Sequence, residues 1–396
     1  MGHVKDMIIE AESRGYYLPD ENKFLCVNHF DDIYLKDFVR SHSHKGLCSY
    51  CGRKTNVISL SEFIEYIMKR IMQNYTSPDD DGLYLSNSFY DDDDEVIPGL
   101  KKVGSYITRK SAETFDSTRE LLFEIGLVSD NEELNRDIEG CFINDEWIQK
   151  DSMVRTVEEE LSDLWNDFVK MVVHQRRYTF YTLPQFDDTY QSEENGLQNI
   201  LLELSHAMNA LDLYKILPVN TVLYRCRYVD CEEEVNSFDD LTSPPDDKAA
   251  ENRMNPTGVS MFYGMFEPDM VKEEARDSEK KFCIIGEFAT TAELIVLDLS
   301  KLPPLSFWNE HWQELSFIYS FTKEVSKPIS AEHNSVEYVP TQIFAEYIRY
   351  CCKERNGKGI DGIQFKSSKT NGVNIVLFYN QKESRTILEL VKMNKS

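Results

Sequence analysis

The sequence predicts an α+β protein built in blocks: an N-terminal segment of Cys and His knuckles, a helical middle, and a mixed α/β C-terminal domain. Three observations carry this expectation. Cysteine and histidine cluster in the first 75 residues. Apolar residues recur at spacings of three and four between about residues 105 and 215. From about residue 218 the chain breaks into short β-branched or aromatic runs bounded by turns. The expected boundaries are 1–75 for the knuckle segment, 76–104 for an acidic linker, 105–215 for the helical domain and 216–396 for the C-terminal domain.

Composition narrows the function classes. A chain of 396 residues exceeds one ordinary core, and 41% hydrophobic residues suffice to pack several. The net charge of −26 opposes general nucleic-acid binding, which needs a basic face to neutralise phosphates. A local arginine cluster can still hold a small anion. The N-terminal stretch "MGHVKDMIIEAESRGYYLPD" lacks a signal-peptide pattern, and Asp6 stands where a myristoylation signal wants Ser or Thr. No run reaches the roughly 20 apolar residues of a membrane span. A cytoplasmic protein without a membrane partner is expected, so its nine cysteines read as metal ligands or buried thiols rather than disulfides.

The first block contains Cys26 and His29 in "CVNH" and Cys48 and Cys51 in "CSYC", eighteen residues apart. Two knuckles of this spacing suit structural zinc, which takes four tetrahedral N or S ligands and leaves no position for water. Gly46 and Gly52 flank the second knuckle, where backbone amides must turn towards sulfur. His42 and His44 in "SHSHKG" compete with His29 for the fourth position. The stretch "TSPDDDGLYLSNSFYDDDDEVIPG" follows, with Pro78, Pro98 and the run Asp91 to Glu95; its charge and turn residues predict a linker.

In the middle block, Val157, Leu161, Leu164, Trp165, Phe168, Met171 and Val172 share a helical face, and Thr156 with Glu159 forms a candidate capping box. "LQNILLELSHAMNALDLYKIL" has the same period, and its stripe reads as core. In the last block "NTVLYRCRY", "KFCIIGEF", "AELIVLDLS", "GIQFKSS" and "NIVLFYN" read as strands and "PTQIFAEYIRYCCKER" as a helix. "GKGIDG" spells a dinucleotide fingerprint with Gly357, Gly359 and Gly362, but the order is reversed: a helix precedes it and a strand follows. These glycines are expected in a helix cap and turn.

Three pieces of the last block can converge on chemistry. Arg225 and Arg227 alternate with Tyr224, Cys226 and Tyr228, so both arginines share one strand face. Arg253 opens the turn "RMNPTG", which leads into a strand with Phe262 and Tyr263 and a helix start carrying Glu273 and Glu274. Ser367 and Ser368 end a strand. Arginine forks onto pyrophosphate oxygens, an aromatic ring stacks on a base, and a carboxylate stabilises a cationic sugar.

Residues from about 218 to 380 resemble the RES domain family, through "LYRCRY", "RMNPTGVSMFYG" with "EPDMVKEEAR", "YVPTQIFAEYIR" and "DGIQFKSS" in that order. The resemblance implies an ADP-ribosyltransferase-like fold and NAD as substrate. It also implies a role as an NAD-destroying toxin of a toxin–antitoxin pair or in antiviral defence. Some members modify a protein instead, which leaves ADP-ribosyl transfer as the alternative. Carried over, the family's site residues fall on Arg225, with Arg227 as near rival, on Arg253, Tyr263 and Glu274, and on Ser367 with Ser368 beside it. Arg225, Glu274 and Ser367 are then expected as catalytic, and Arg227, Arg253 and Tyr263 as substrate-binding. The serine is expected on the nicotinamide ribose or carboxamide.

The first 215 residues resemble the HEPN-like part fused to some RES domains, through "AESRGYY", "CVNHFDD" and "GLCSYCG". That family's first knuckle is Cys-x-x-Cys where this chain has Cys26 and His29. The Arg-to-His pattern of catalytic HEPN ribonucleases is missing around His174 and His206, so the helical block is expected as scaffold, lid or homo-oligomer interface. RNA processing is the weaker alternative. An antitoxin or a trigger protein is the expected partner, because free NAD destruction would kill the host.

Overall fold

The computed structural model describes residues 9–81, 83–84, 96–103, 105–179, 194–276, 279–327, 334–354 and 356–395. The acidic run 91–95 lies outside them. The chain divides into two units: Met1–Thr156 with Leu305–Trp312, and Val157–Pro304 with Gln313–Ser396. Among the described residues, no helix is long and apolar enough to cross a membrane.

In the first unit Phe24–Leu25, Lys54–Ser59 and His44–Leu47 make a three-stranded antiparallel sheet. The helix Leu60–Asn74 starts where the Ser59 hydroxyl accepts the Glu62 amide. It buries Phe63, Ile64, Ile67, Met68 and Ile71, the period of one helical face, against Leu35, Leu121, Leu134 and Trp147. Residues 305–312 complete this core with Phe307 and Trp308. Arg70 fixes them by donating to the carbonyls of Phe307 at 3.2 Å and Asn309 at 2.6 Å.

The second unit is built on one eight-stranded sheet. Its strands are β1 (Tyr214–Leu217), β2 (Val222–Val229), β3 (Phe262–Met265), β4 (Phe282–Thr290), β5 (Leu294–Asp298), β6 (Gly362–Lys366), β7 (Val373–Leu377) and β8 (Leu388–Lys395), in spatial order β1-β5-β6-β7-β3-β2-β4-β8. Only β5 and β6 run parallel. Parallel neighbours need a crossover, and the chain between them supplies helices α4 (Trp312–Ser326) and α5 (Val339–Tyr350). Two further helices, α1 (Val157–His174) and α2 (Glu194–Ala210), precede the sheet, and a short α3 (Val271–Glu274) follows β3.

Two ladders differ in a way that matters for the site. β2 pairs with β4 over eight residues, Val222 with Ala289 through Val229 with Phe282. Between β2 and β3 the ladder is a single pair, Tyr224 with Met265. The sheet is therefore mixed, as expected, and nearly parted at that seam.

The structure groups the helical block differently from the expected 105–215 domain. Helices α1 and α2 belong to the second unit, whereas the strands and helices between residues 106 and 149 belong to the first. The physical reason is burial. The stripe Leu161, Trp165, Phe168 and Val172 joins Leu204 and Met208 of α2, Phe321 of α4, Phe344 and Ile348 of α5, and Ile363 of β6 in one core. A two-helix stripe this apolar has no other surface on which to close. The "GKGIDG" stretch behaves as a turn, with α5 ending at Tyr350, Gly357 at φ +81°, and Gly362 opening β6.

Gly362 faces the backbone of β7. A Cβ there would stand 2.3 Å from the Val376 carbonyl oxygen, which a strand ladder cannot yield. Gly362→Ala is expected to destabilise the second unit by about 1–3 kcal/mol, read as a lower urea midpoint with an unchanged slope.

Candidate functional site

β2 divides its side chains by alternation. Tyr224, Cys226 and Tyr228 pack with Met265, Val271 and Cys283 against α3. Arg225 faces the other way. Its Nη1 donates to the Tyr263 carbonyl at 3.2 Å, and its guanidinium lies 5.5 Å from the Phe262 ring centroid. Burial pushes its pKa down to about 10, with the like charge of Arg227 adding to the fall and Tyr263 opposing it. At neutral pH it stays a cation.

Arg253 is held by an over-determined turn. Thr341 donates to its carbonyl at 2.7 Å, and the Gln342 amide donates to Asn252 and Asn255 carbonyls at 2.9 and 3.2 Å. Buried Asn255 donates to the carbonyls of Ala250, Pro256 and Val259. The Tyr263 hydroxyl donates to Asn255 Oδ1 at 2.6 Å and accepts the Met254 amide at 3.2 Å. The guanidinium itself donates to the Lys327 carbonyl at 2.5 Å and stands 5.5 Å from the Tyr338 ring centroid. Burial lowers its pKa, against the pull of Tyr338, Tyr263 and Glu274.

Glu274 is the last residue of α3, and both of its oxygens are engaged. Asn374 of β7 donates to Oε1 at 3.0 Å, and the Ser367 hydroxyl donates to Oε2 in a very short bond. Ser367 Oγ in turn accepts the amides of Lys369 at 3.0 Å and Thr370 at 2.9 Å. The Lys369 ammonium donates to the Glu274 carbonyl at 3.0 Å. Glu273 points elsewhere, exposed and paired with Arg276 at 3.5 Å.

Arg225, Arg253, Tyr263 and Glu274 line one cavity of about 370 Å³, at the seam between β2 and β3, together with Tyr224, Tyr338, Ser368, Lys369 and Asn374. Two guanidiniums and one fixed carboxylate on a concave wall of this size suit an anionic ligand on the scale of a nucleotide. Two expectations change. Arg227 does not line the cavity: it is exposed and donates to the Asp240 carbonyl at 2.8 Å, because it lies two residues further along β2, beyond the seam. Ser367 turns its hydroxyl to Glu274 rather than into the cavity, and Ser368 lines the wall in its place. Asn374 and Lys369 are not expected at the site from the sequence, since nothing local in "NGVNIVLFYN" or "SSKT" ties them to a carboxylate about a hundred positions away, and nothing local in "SVEYVP" ties Tyr338 to Arg253.

A second candidate site lies in the first unit. One ligand atom from each of Cys26, His29, Cys48 and Cys51 falls within 4.8 Å of the others. Cys26 and Cys51 sulfurs are 3.7 Å apart, and His29 Nε2 is 3.2 Å from Cys48 Sγ. Two thiolates bound to one tetrahedral ion at about 2.3 Å would stand roughly 3.8 Å apart, so the quartet is already at coordination spacing. Amides of Asn28 and Arg53 donate to the Cys26 and Cys51 sulfurs. Gly52 turns the second knuckle at φ +67°. Burial pushes the Cys26 thiol up to about 12, a cost a bound cation would remove. His42 and His44 lie outside the quartet, engaged with Phe38 and Phe24.

Two family models match successive parts of the chain, and the first runs past Thr156 into α1 of the second unit. Residues 41–185 match the family model HEPN/RES N-terminal domain 1, and residues 222–390 match the model RES domain. No curated protein matches the chain. Among solved structures, the chain is similar to one in the "Crystal structure of the M.tuberculosis MbcT-MbcA toxin-antitoxin complex", at 13% identity and a TM-score of 0.30, covering 49% of this chain and 91% of that one. At that score the likeness says nothing of activity or partner.

Tyr263 ties the Arg253 turn to β3 by two hydrogen bonds. Tyr263→Phe is expected to cost about 1–3 kcal/mol, since it leaves buried Asn255 Oδ1 without its donor. Equilibrium denaturation of the full chain measures this, and a neutral substitution would show the turn to be held by α5 alone.

Proposed function

From a chain that joins a HEPN/RES N-terminal domain to a RES domain, we propose an enzyme that consumes NAD by breaking the bond between nicotinamide and ribose. The observation that carries this reading is the shared cavity: Arg225, Arg253 and a doubly hydrogen-bonded Glu274 meet on one wall.

The chemistry suits these groups. The glycosidic C–N bond breaks with its electron pair moving into the pyridinium ring, so nicotinamide leaves neutral and positive charge develops on the ribose. An ionised carboxylate about 4 Å from that charge stabilises it by roughly 4 kcal/mol at an effective dielectric of 20, about a thousandfold in rate. Glu274 is suited to this and not to proton donation, because both oxygens accept hydrogen bonds. The guanidiniums of Arg225 and Arg253 are the natural partners for the diphosphate. Ser367 acts as a positioning residue: it donates to Glu274 and accepts two amides, and is no nucleophile. Water or phosphate captures the sugar cation from the open side, giving hydrolysis or phosphorolysis.

In the first unit we assign the quartet to a structural zinc ion that closes the two knuckles on each other. An inhibitory protein partner or a trigger is part of the same proposal, because unrestrained loss of NAD is lethal; the expected setting is a toxin–antitoxin pair or antiviral defence in the cytoplasm.

Purified full-length protein is expected to release free nicotinamide from NAD. Glu274→Gln should lower kcat by about a thousandfold, with circular dichroism unchanged, and Arg225→Ala should chiefly raise KM. Ser367→Ala should cost about tenfold in kcat, one hydrogen bond to the carboxylate. Equal turnover in wild type and Glu274→Gln rejects the site. Isotope-labelled NAD separates the outcomes, since label appearing in protein rather than in free ADP-ribose marks ADP-ribosyl transfer. For the quartet, elemental analysis should find one zinc per chain, lost in Cys48→Ser.

A further inference from the structure

A second cavity, of about 410 Å³, lies at the carboxyl ends of the parallel strands β5 and β6, and shares Ser326 of α4 with the first. Crevices at the carboxyl ends of parallel strands are common ligand sites. Lys301, Lys323 and Lys366 line it, and among the described residues no Asp or Glu does. Lys301 follows β5, Lys323 stands one helical turn before Ser326, and Lys366 is the last residue of β6, next to Ser367.

Three lysines in one cleft need explaining in a chain of net charge −26. Lys301, Lys323 and Lys366 are exposed, and exposed lysines of this unit behave in both ways: Lys170, Lys215 and Lys280 pair with Asp167, Asp212 and Asp230 within 3 Å, whereas Lys248 and Lys392 make no ion pair with a described residue. The ammonium groups of the cleft have no hydrogen bond or ion pair with any described residue. Two carboxylates are near in sequence: Glu324, beside Lys323, stands 4.0 Å from the Lys327 ammonium, and Asp298 is buried and accepts the Ser300 amide and hydroxyl and the Lys301 amide at 2.9, 2.6 and 3.2 Å. The charge of Asp298 is directed into its own turn.

We infer that this cleft is a phosphate-binding subsite continuous with the glycosidic cavity, its charge matched by a phosphate dianion on or beside the dinucleotide. The inference rests on the proposed NAD reading. Two sources share the chemistry. The phosphate belongs to the dinucleotide, as its diphosphate or a 2′-phosphate on the adenosine ribose, or it is free inorganic phosphate that captures the sugar.

The test compares wild type with a Lys301→Met/Lys323→Met double variant, which keeps the apolar stems and leaves Lys366 beside Ser367 intact. Inorganic pyrophosphate, ADP-ribose and ADP-ribose 2′-phosphate are titrated by calorimetry, and nicotinamide release is followed with and without inorganic phosphate. The double variant should bind at least one phosphate probe about tenfold more weakly, with a shallower salt dependence. Loss confined to ADP-ribose 2′-phosphate identifies a 2′-phosphorylated substrate, loss shared with ADP-ribose identifies the diphosphate, and loss of phosphate-stimulated turnover identifies the free acceptor. Unchanged affinities and unchanged phosphate response overturn the inference. Absence of nicotinamide release from wild type would instead reject the glycosidic reading, and pyrophosphate affinity would still decide the cleft. A Lys323→Arg control, which keeps the charge, should bind like wild type.

Discussion

The site depends on one carboxylate being held still. Glu274 sits on a four-residue helix that has little stability of its own, since a single turn satisfies few of its own backbone groups. Its orientation comes from outside the helix, from Asn374 on β7 and Ser367 at the end of β6. Neutral donors are the right kind of clamp. On the proposed function, a direct ion pair to Arg225 or Arg253 would offset the charge that a sugar cation needs to see, whereas an amide and a hydroxyl fix the geometry without adding a positive charge.

The ladders on either side of β2 differ where the cavity lies. Arg225 on β2 and Tyr263 on β3 both line the cavity, and Arg225 donates to the Tyr263 carbonyl across the seam. A single ladder pair between those strands leaves room for the cavity, while the eight-residue ladder to β4 keeps β2 in register. The Arg253 turn is tied to α5 through Thr341 and Gln342, and α5 shares its core with α1 and α2. The helices that sequence periodicity assigned to a separate block are therefore part of the packing that supports the site's second arginine.

Much of this was legible in the residues. Alternation placed Arg225 opposite Cys226, the Asn-Pro turn announced Arg253, and the knuckle spacing grouped Cys26, His29, Cys48 and Cys51. What escaped has a common physical cause. Arg227 and Arg225 share a strand face, and only the ladder shows that the seam serves one of them. The direction of the Ser367 hydroxyl is decided by the amides of Lys369 and Thr370, and Asn374 acts through a pairing a hundred residues long. Period and spacing report local geometry; they do not report which distant partners a sheet brings together.

Charge poses the last problem. A protein of net charge −26 repels an anionic dinucleotide at long range. That repulsion is screened beyond about 10 Å at ordinary ionic strength, so capture depends on what the ligand meets within that distance. Burial lowers the pKa of both Arg225 and Arg253, and Arg225, at about 10, stays cationic at neutral pH. Their desolvation is unfavourable, and on the proposed function a diphosphate relieves it. On the same proposal, binding energy gathered there, away from the scissile bond, presses the nicotinamide ribose against a fixed carboxylate. On the proposed function, an acidic surface disfavours polyanions such as nucleic acids, while two half-buried guanidiniums offer a small anion a local partner.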